Sequence, residues 1–163
     1  MESTQSLKAR LQASTVAAMR AQDKARLSVL RLVQSAIKQQ EIDSRTDATA
    51  SGSESSALSD TQVLEVLDKM IRQRRDSVQQ FAAAKREDLV QKESYEISVI
   101  QEFMPAPLTE TEVRALIAES IKKVEARSIR DMSKVMALLK PQIQGRADMA
   151  QVGSWIKDQL ATQ

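Results

Sequence analysis

The 163-residue chain has no cysteine and no histidine, only three glycines and three prolines, and four aromatic side chains, Phe81, Tyr95, Phe103 and Trp155. Each scarcity excludes something. Without cysteine there are no disulfides, no thiolate nucleophile and no cysteine-ligated zinc. Without histidine the commonest general base is gone, along with the imidazole of Cys/His zinc sites. A cysteine-free chain suits a reducing compartment, and the expectation is a cytoplasmic protein. No run of about 18 apolar residues occurs, so no membrane-spanning helix is expected. There is no GxxxxGK(S/T) phosphate loop, no GxSxG nucleophile elbow and no paired-carboxylate metal signature. From the residues alone no catalytic residue, no cofactor and no metal site is expected.

What is abundant points one way. Ala, Leu, Gln, Lys, Arg, Glu and Met dominate, all good helix formers, and 42% of the chain is apolar. This predicts an all-α protein with aliphatic cores. The net charge is +2, but its distribution is uneven. Residues 1–104 carry 15 basic and 15 acidic side chains, whereas residues 113–163 carry nine basic and five acidic ones. A polyanionic partner would be met by the C-terminal part.

Apolar spacing and capping residues divide the chain into helices. Leu7, Leu11, Val16 and Met19 give a first helix, about Ser6 to Arg20. Residues 3–22 also have the Ser- and Arg-rich, acid-poor composition of a transit peptide, but the apolar spacing makes an ordinary first helix. Asp23 looks like the N-cap of a second helix reaching about Glu41. Its apolar residues (Ala25, Val29, Leu30, Leu32, Val33, Ala36, Ile37) cover a wide face and predict a central, buried helix. Residues 43–59, DSRTDATASGSESSALS, have no period and read as a flexible loop.

Ser59 with Gln62 forms a capping box opening a third helix, to about Lys85, with a stripe at Val63, Leu67, Met70, Ile71, Val78 and Phe81. Glu87 and Asp88 begin a fourth, favoured near its positive end, with Leu89, Val90, Ile97, Ile100 and Met104 directed inward. Pro105 and Pro107 cannot continue it. The boundary therefore falls here, giving an N-terminal helical domain of about four helices, 1–105, and a C-terminal three-helix domain, 106–163. Thr109 with Glu112 is a second capping box. The three C-terminal helices carry Val113, Leu116, Ile117, Ile121 and Val124; then Met132, Val135, Met136 and Leu139; then Met149, Val152, Trp155, Ile156 and Leu160. Trp155 falls in the last stripe and reads as core rather than as a base-stacking platform.

The sharpest segment is residues 131–160, a helix, a glycine turn and a capped helix. Gly145 suits the left-handed residue just past a helix end. Arg146 sits on the turn, and Asp148 caps the next helix. An exposed arginine beside a helix N-terminus makes a phosphate seat; the alternative is a plain capped turn with a solvent-facing arginine. Arg72, Arg74 and Arg75 form a second basic cluster. Arg74 falls within the apolar stripe, where a bare guanidinium would be costly, so it should pair with Glu93 or Glu96. A structural ion pair and an anion-binding pocket both remain open there. Arg86-Glu87-Asp88 reads as helix-start electrostatics.

Val135-Met136, then eight residues, Gly145-Arg146-Ala147-Asp148, three residues and Val152 together resemble the hallmark of the GatB/YqeY C-terminal domain. RLSVLRLVQSAIKQQEI at 26–42, RQRRDSVQQFAAAKREDLVQKE at 72–93 and YEISVIQEFMPAPLTETEV at 95–113 are similar to free-standing YqeY-like proteins. The resemblance covers nearly the whole chain. It implies an all-α fold, and a tail like the one with which the GatB subunit of tRNA-dependent amidotransferases contacts the outer part of tRNA. It also brings, by family alone, a carbon–nitrogen ligase activity with glutamine as amido donor. A shared fold is a weak warrant for activity, and no residue pattern here supplies the ammonia-releasing nucleophile or the nucleotide site.

The expectation is therefore a tRNA-binding or tRNA-amidotransferase-associated accessory protein without a catalytic centre. The expected RNA contacts are Arg130, Lys134, Lys140, Gly145, Arg146 and Lys157. The alternative is a protein-interaction module docking on an amidotransferase or another translation protein. Without interleaved exposed aromatics, RNA recognition would go by charge and shape.

Overall fold

A computed structural model describes residues 5–49 and 57–162, with every regular element helical. The helices are α1 (Leu7–Arg20), α2 (Lys24–Thr49), α3 (Asp60–Ala83), α4 (Glu87–Gln101), α5 (Glu110–Lys123), α6 (Met132–Ile143) and α7 (Met149–Ala161), with a 3₁₀ turn, Ile129–Asp131, before α6. The chain divides into two compact units, Met1–Met104 and Pro105–Gln163.

Capping side chains set most helix starts. Ser6 accepts the amide of Ala9, and Asp23 accepts that of Arg26 at 3.0 Å. Both capping boxes, Ser59 with Gln62 and Thr109 with Glu112, close in both directions. Asp148 accepts the amide of Ala150. The starts were thus visible in sequence; the ends were less so. α1, α3 and α5 each end on a non-glycine residue of positive φ: Gln22 at 55°, Lys85 at 58° and Glu125 at 52°. In each case the next amide reaches back five residues: Asp23 to Ala18, Arg86 to Phe81 and Ala126 to Ile121, at 2.9–3.0 Å. This closes the last turn as glycine-ended helices do, with the steric cost of a Cβ added.

α2 departs most from expectation. It runs past Glu41 to Thr49, so residues 43–49, expected as loop, are helical. The segment is poor in helix formers, but glycine is absent until Gly52 and nothing stops propagation. Gln39 donates to Asp43 and the Thr46 hydroxyl to the Ile42 carbonyl, both one turn along the helix. Of the rest of the expected loop, 57–59 are non-helical and 50–56 lie outside the described residues.

In the first unit α2 packs against α1, α3 and α4. Its buried stripe, Val29, Leu30, Val33 and Ile37, is narrower than the sequence implies, because Ala25 and Leu32 face solvent. In α1 the buried face is Leu7, Leu11, Thr15 and Ala18, whereas Val16 is half-buried and Met19 exposed. Thr15 can occupy a core position because its hydroxyl donates to Leu11 O and accepts from Gln34 Nε2. The core is completed by Val63, Leu67, Met70 and Ile71 from α3, by Val99 and Ile100 from α4, and by Phe103 beyond its end. The second unit packs Val113, Ile117 and Ile121 against Val135, Leu139 and Ile143 and against Val152, Ile156 and Leu160. Trp155 joins this core as expected. No helix among the described residues is long and apolar enough to cross a membrane.

Candidate nucleic-acid interface

The turn between α6 and α7 holds the Gly145-Arg146-Ala147-Asp148 motif. Gly145 has φ 73°, which an L side chain adopts only under strain. Arg146 is half-buried rather than splayed into solvent. Its Nε donates to the Ala106 carbonyl at 3.0 Å, and its own carbonyl accepts the amide of Leu108 at 2.8 Å. The pair of bonds clamps the proline-bracketed segment ahead of α5 onto the turn. Sequence reasoning missed this second task because the partners lie 40 residues apart. The two terminal guanidinium nitrogens hydrogen-bond to no described residue. Glu112 lies close enough to feel that charge. Its carboxyl is held below the usual range, first by the Thr109 amide, then by the Thr109 hydroxyl and more weakly by Arg146.

The expected contact residues do not converge on one point. α6 has 12 residues, about 18 Å of helix. Arg130 and Lys134 lie at its start, Lys140, Gly145 and Arg146 at its end. A Cβ at Gly153 would sit 3.5 Å from Met132 Cε, and the 3₁₀ turn packs on α7. α7 therefore crosses the start of α6 near Gly153 and runs on to α5, where Gln159 Nε2 donates to the Arg114 carbonyl at 3.1 Å. Lys157 lies on this later stretch of α7, between Trp155 and Gln159, both against Arg114.

This layout redistributes the charge. The whole second unit holds nine basic and seven acidic residues, because Glu110 and Glu112 belong to it, so its excess is two rather than four. At the end with the Gly145 turn, Arg114, Lys140 and Arg146 are balanced by Glu110, Glu112 and Asp148. The excess sits at the other end, where Lys122, Lys123, Arg127, Arg130 and Lys134 outnumber Glu119, Glu125 and Asp131, while the neighbours Lys157 and Asp158 on α7 cancel.

Several of these cations are already partnered. Arg114 pairs with Glu110 at 2.7 Å and stacks over Trp155 at 5.2 Å. Lys123 pairs with Glu119, whose carboxyl it lowers by hydrogen bonding. Lys134 lies 3.7 Å from Asp131. Lys122, Arg127, Arg130, Lys140 and Lys157 are exposed and form no ion pair with any described residue. Lys122 and Arg127 were not among the expected contacts, although the run KKVEARSIR, 122–130, is visibly basic.

The cluster Arg72, Arg74 and Arg75 separates. Arg74 turns inward and its Nε donates to Glu96 at 2.8 Å, with both side chains largely buried. The ion-pair alternative thus holds for Arg74, with the second of its two expected partners. Arg72 pairs with Asp68 on the surface, and Arg75 is exposed. Arg86 pairs with Asp88 in two hydrogen bonds, in keeping with a local role at the start of α4. Among the described residues no group of three or more acidic side chains is placed to hold a metal ion.

Comparison with known proteins places these observations in a family. A family model described as "Yqey-like protein" matches residues 8–160. The chain is similar to Altered inheritance of mitochondria protein 41, mitochondrial, of Pyrenophora tritici-repentis, being 30% identical over 140 residues, 85% of this chain and 71% of that protein. The protein of the same name from Kluyveromyces lactis is 38% identical over 89 residues, 55% of this chain and 43% of the relative. That from Eremothecium gossypii is 34% identical over 104 residues, 63% of this chain and 52% of the relative. The chain spans only about half the length of most of these relatives.

Proposed function

The chain belongs to the YqeY-like family, and on that premise we propose that it is a tRNA-binding accessory protein of translation, working alone or beside a tRNA amidotransferase, with no bond-making step of its own. The observation that carries this reading is the set of exposed cations in the second unit left without intramolecular partners. Phosphate contacts run along α6, from Arg130 and Lys134 to Lys140 and the terminal nitrogens of Arg146, with Lys157 on α7 and with Gly145 giving the turn its conformation. A footprint about 18 Å long suits a sugar–phosphate backbone better than a single anion. The four aromatic side chains supply no exposed stacking row, so recognition goes by charge and shape.

The test is retention of tRNA by the purified protein across a salt series. Affinity should fall steeply with salt, and each phosphate-contacting residue removed should reduce the log–log slope by about one unit. Failure to retain tRNA at low salt would sink the reading. A glutaminase or ATPase activity of the pure protein, abolished by substituting one carboxylate, would overturn the non-catalytic part and favour the ligase alternative. The docking-module alternative predicts a protein partner that survives nuclease and high salt. The exposed apolar residues of the first unit give it little: Met19, Leu32, Ile42 and Tyr95 are spread over three helices.

The proposed compartment is the cytoplasm. The names of the relatives carry the mitochondrion, and both places use tRNA in a reducing setting. The segment with transit-peptide composition is α1 here, with Leu7, Leu11 and Ala18 in the core. Its loss on import would open the first unit, and cell fractionation with N-terminal sequencing tests this.

A further inference from the structure

Charge alone does not explain the 3₁₀ turn Ile129–Asp131. Ile129 is 55% exposed, the most of any large apolar side chain among the described residues. It stands between Arg127 and Arg130, both exposed and without an ion-pair partner among the described residues. The carboxylate best placed to neutralise them is otherwise engaged. Asp131 accepts the amides of Arg127 at 3.1 Å and Ser128 at 3.3 Å, and its remaining charge faces Lys134. Its own amide donates to Ser128 O at 3.0 Å, and the turn packs on both α6 and α7. Two guanidinium groups and an aliphatic side chain are thus presented on a fixed backbone, where little ordering opposes binding.

We infer that this knuckle, Arg127, Ile129 and Arg130 backed by Lys122, is the principal RNA docking point of the chain, ahead of the Gly145–Arg146 turn; the inference rests on the RNA-binding reading above. Three observations favour it. The charge excess of the second unit lies at this end. Its arginines keep all their donors for a ligand, whereas Arg146 already gives its Nε to Ala106. An isoleucine between two phosphate-binding forks meets the ribose edge or an unstacked base, the surfaces that shallow RNA grooves and loops present. The arginines supply the salt-dependent part of the affinity and Ile129 a local part that salt does not screen.

The experiment uses the full chain and an end-labelled tRNA transcript, with binding read by fluorescence anisotropy from about 50 to about 200 mM salt. Arg127→Gln with Arg130→Gln should weaken binding about tenfold or more at the low-salt end and reduce the slope by about two. Ile129→Ser should weaken binding a few-fold with the slope unchanged. Arg31→Gln with Lys38→Gln, both exposed on α2, should leave binding as it was. All three sites are solvent-facing, and unchanged helical circular dichroism verifies folding. If Lys140→Gln with Arg146→Gln abolishes binding while the Arg127/Arg130 pair does not, the docking point is at the other end; the inference falls and the RNA reading stands. If the unaltered protein binds no tRNA at low salt, both fall together.

Discussion

The two units differ in whether charge ties helices together. In the first, three of the five ion pairs among the described residues join elements far apart in sequence: Lys8 of α1 with Glu41 of α2, Arg26 of α2 with Glu102 just beyond α4, and Arg74 of α3 with Glu96 of α4; Arg72–Asp68 and Arg86–Asp88 are local. In the second, every pair among the described residues is local: Arg114 with Glu110, Lys123 with Glu119 and Lys134 with Asp131, three or four residues apart. Both units have aliphatic cores, so the contrast is not one of stability source. A charge that crosses between helices is committed to the fold. A charge paired within its own turn, or not at all, stays available to a partner. Balanced composition in the first unit and basic excess in the second are the sequence-level traces of that difference.

The strongest way to break the contrast is at Arg74 and Glu96. Glu96→Ala should destabilise by about 3 kcal/mol, because a largely buried guanidinium loses its partner. Arg74→Met with Glu96→Leu should come within about 1 kcal/mol of the unaltered protein. The matching cut in the second unit, Glu110→Gln, should cost less than about 0.5 kcal/mol. Urea midpoints measure all three. Equal losses at Glu96 and Glu110 would erase the distinction.

Capping should not distinguish the units. Ser59→Ala and Thr109→Ala each remove a reciprocal box and should cost about 1 kcal/mol, read by the same denaturation. Smaller still are the backbone effects. Lys85→Gly and Glu125→Gly relieve a positive φ and should each stabilise by about 0.5–1 kcal/mol. Gly153→Ala should gain a similar amount in helix propensity, since its new methyl meets Met132 at ordinary contact distance. Gly145→Ala should do the reverse. Thermal midpoints would show the opposite signs.

The last test is electrostatic. Glu41 is held below the usual carboxylate range mainly by its hydrogen bond from Lys8, whereas Asp131 is held down mainly by the Arg127 amide and Glu112 by the Thr109 amide. With the folded pKa depressed, each contributes stability above its unfolded pKa and loses it as pH falls through the folded value. Both units should therefore weaken on acidification below the ordinary carboxylate range. Salt at about 1 M should bring Glu41 back toward normal and leave Asp131 and Glu112 lowered, because amide donors are not screened as a mobile ammonium is. NMR titration of the side-chain carboxyls resolves the two behaviours.

Local chemistry was legible from sequence and distant chemistry was not. The two capping boxes, the caps at Asp23 and Asp148, the break at Pro105 and the need of Arg74 for a carboxylate all follow from residues within a few positions or from one helical wheel. The extension of α2 to Thr49 was hidden because Ser, Thr and Asp signal loop and helix continuation equally poorly. The left-handed ends at Gln22, Lys85 and Glu125 carry no glycine to announce them. The clamp between Arg146 and Ala106, and the separation of Arg146 from Arg130 along α6, depend on how the chain folds back. A list of basic residues therefore named the cations correctly but could not sort them into two ends.

The turn between α1 and α2 has a consequence for how this chain can vary. Asp23 closes the end of α1 through its amide and opens α2 through its carboxylate, so no spare residue lies between the two helices. One residue added there, if absorbed into α2, would rotate that helix by about 100° and carry Val29, Leu30, Val33 and Ile37 out of register with their neighbours. Chain length at this point acts as an angular setting. Tags, permuted termini and natural insertions should be excluded from residues 21–23, however exposed the turn is.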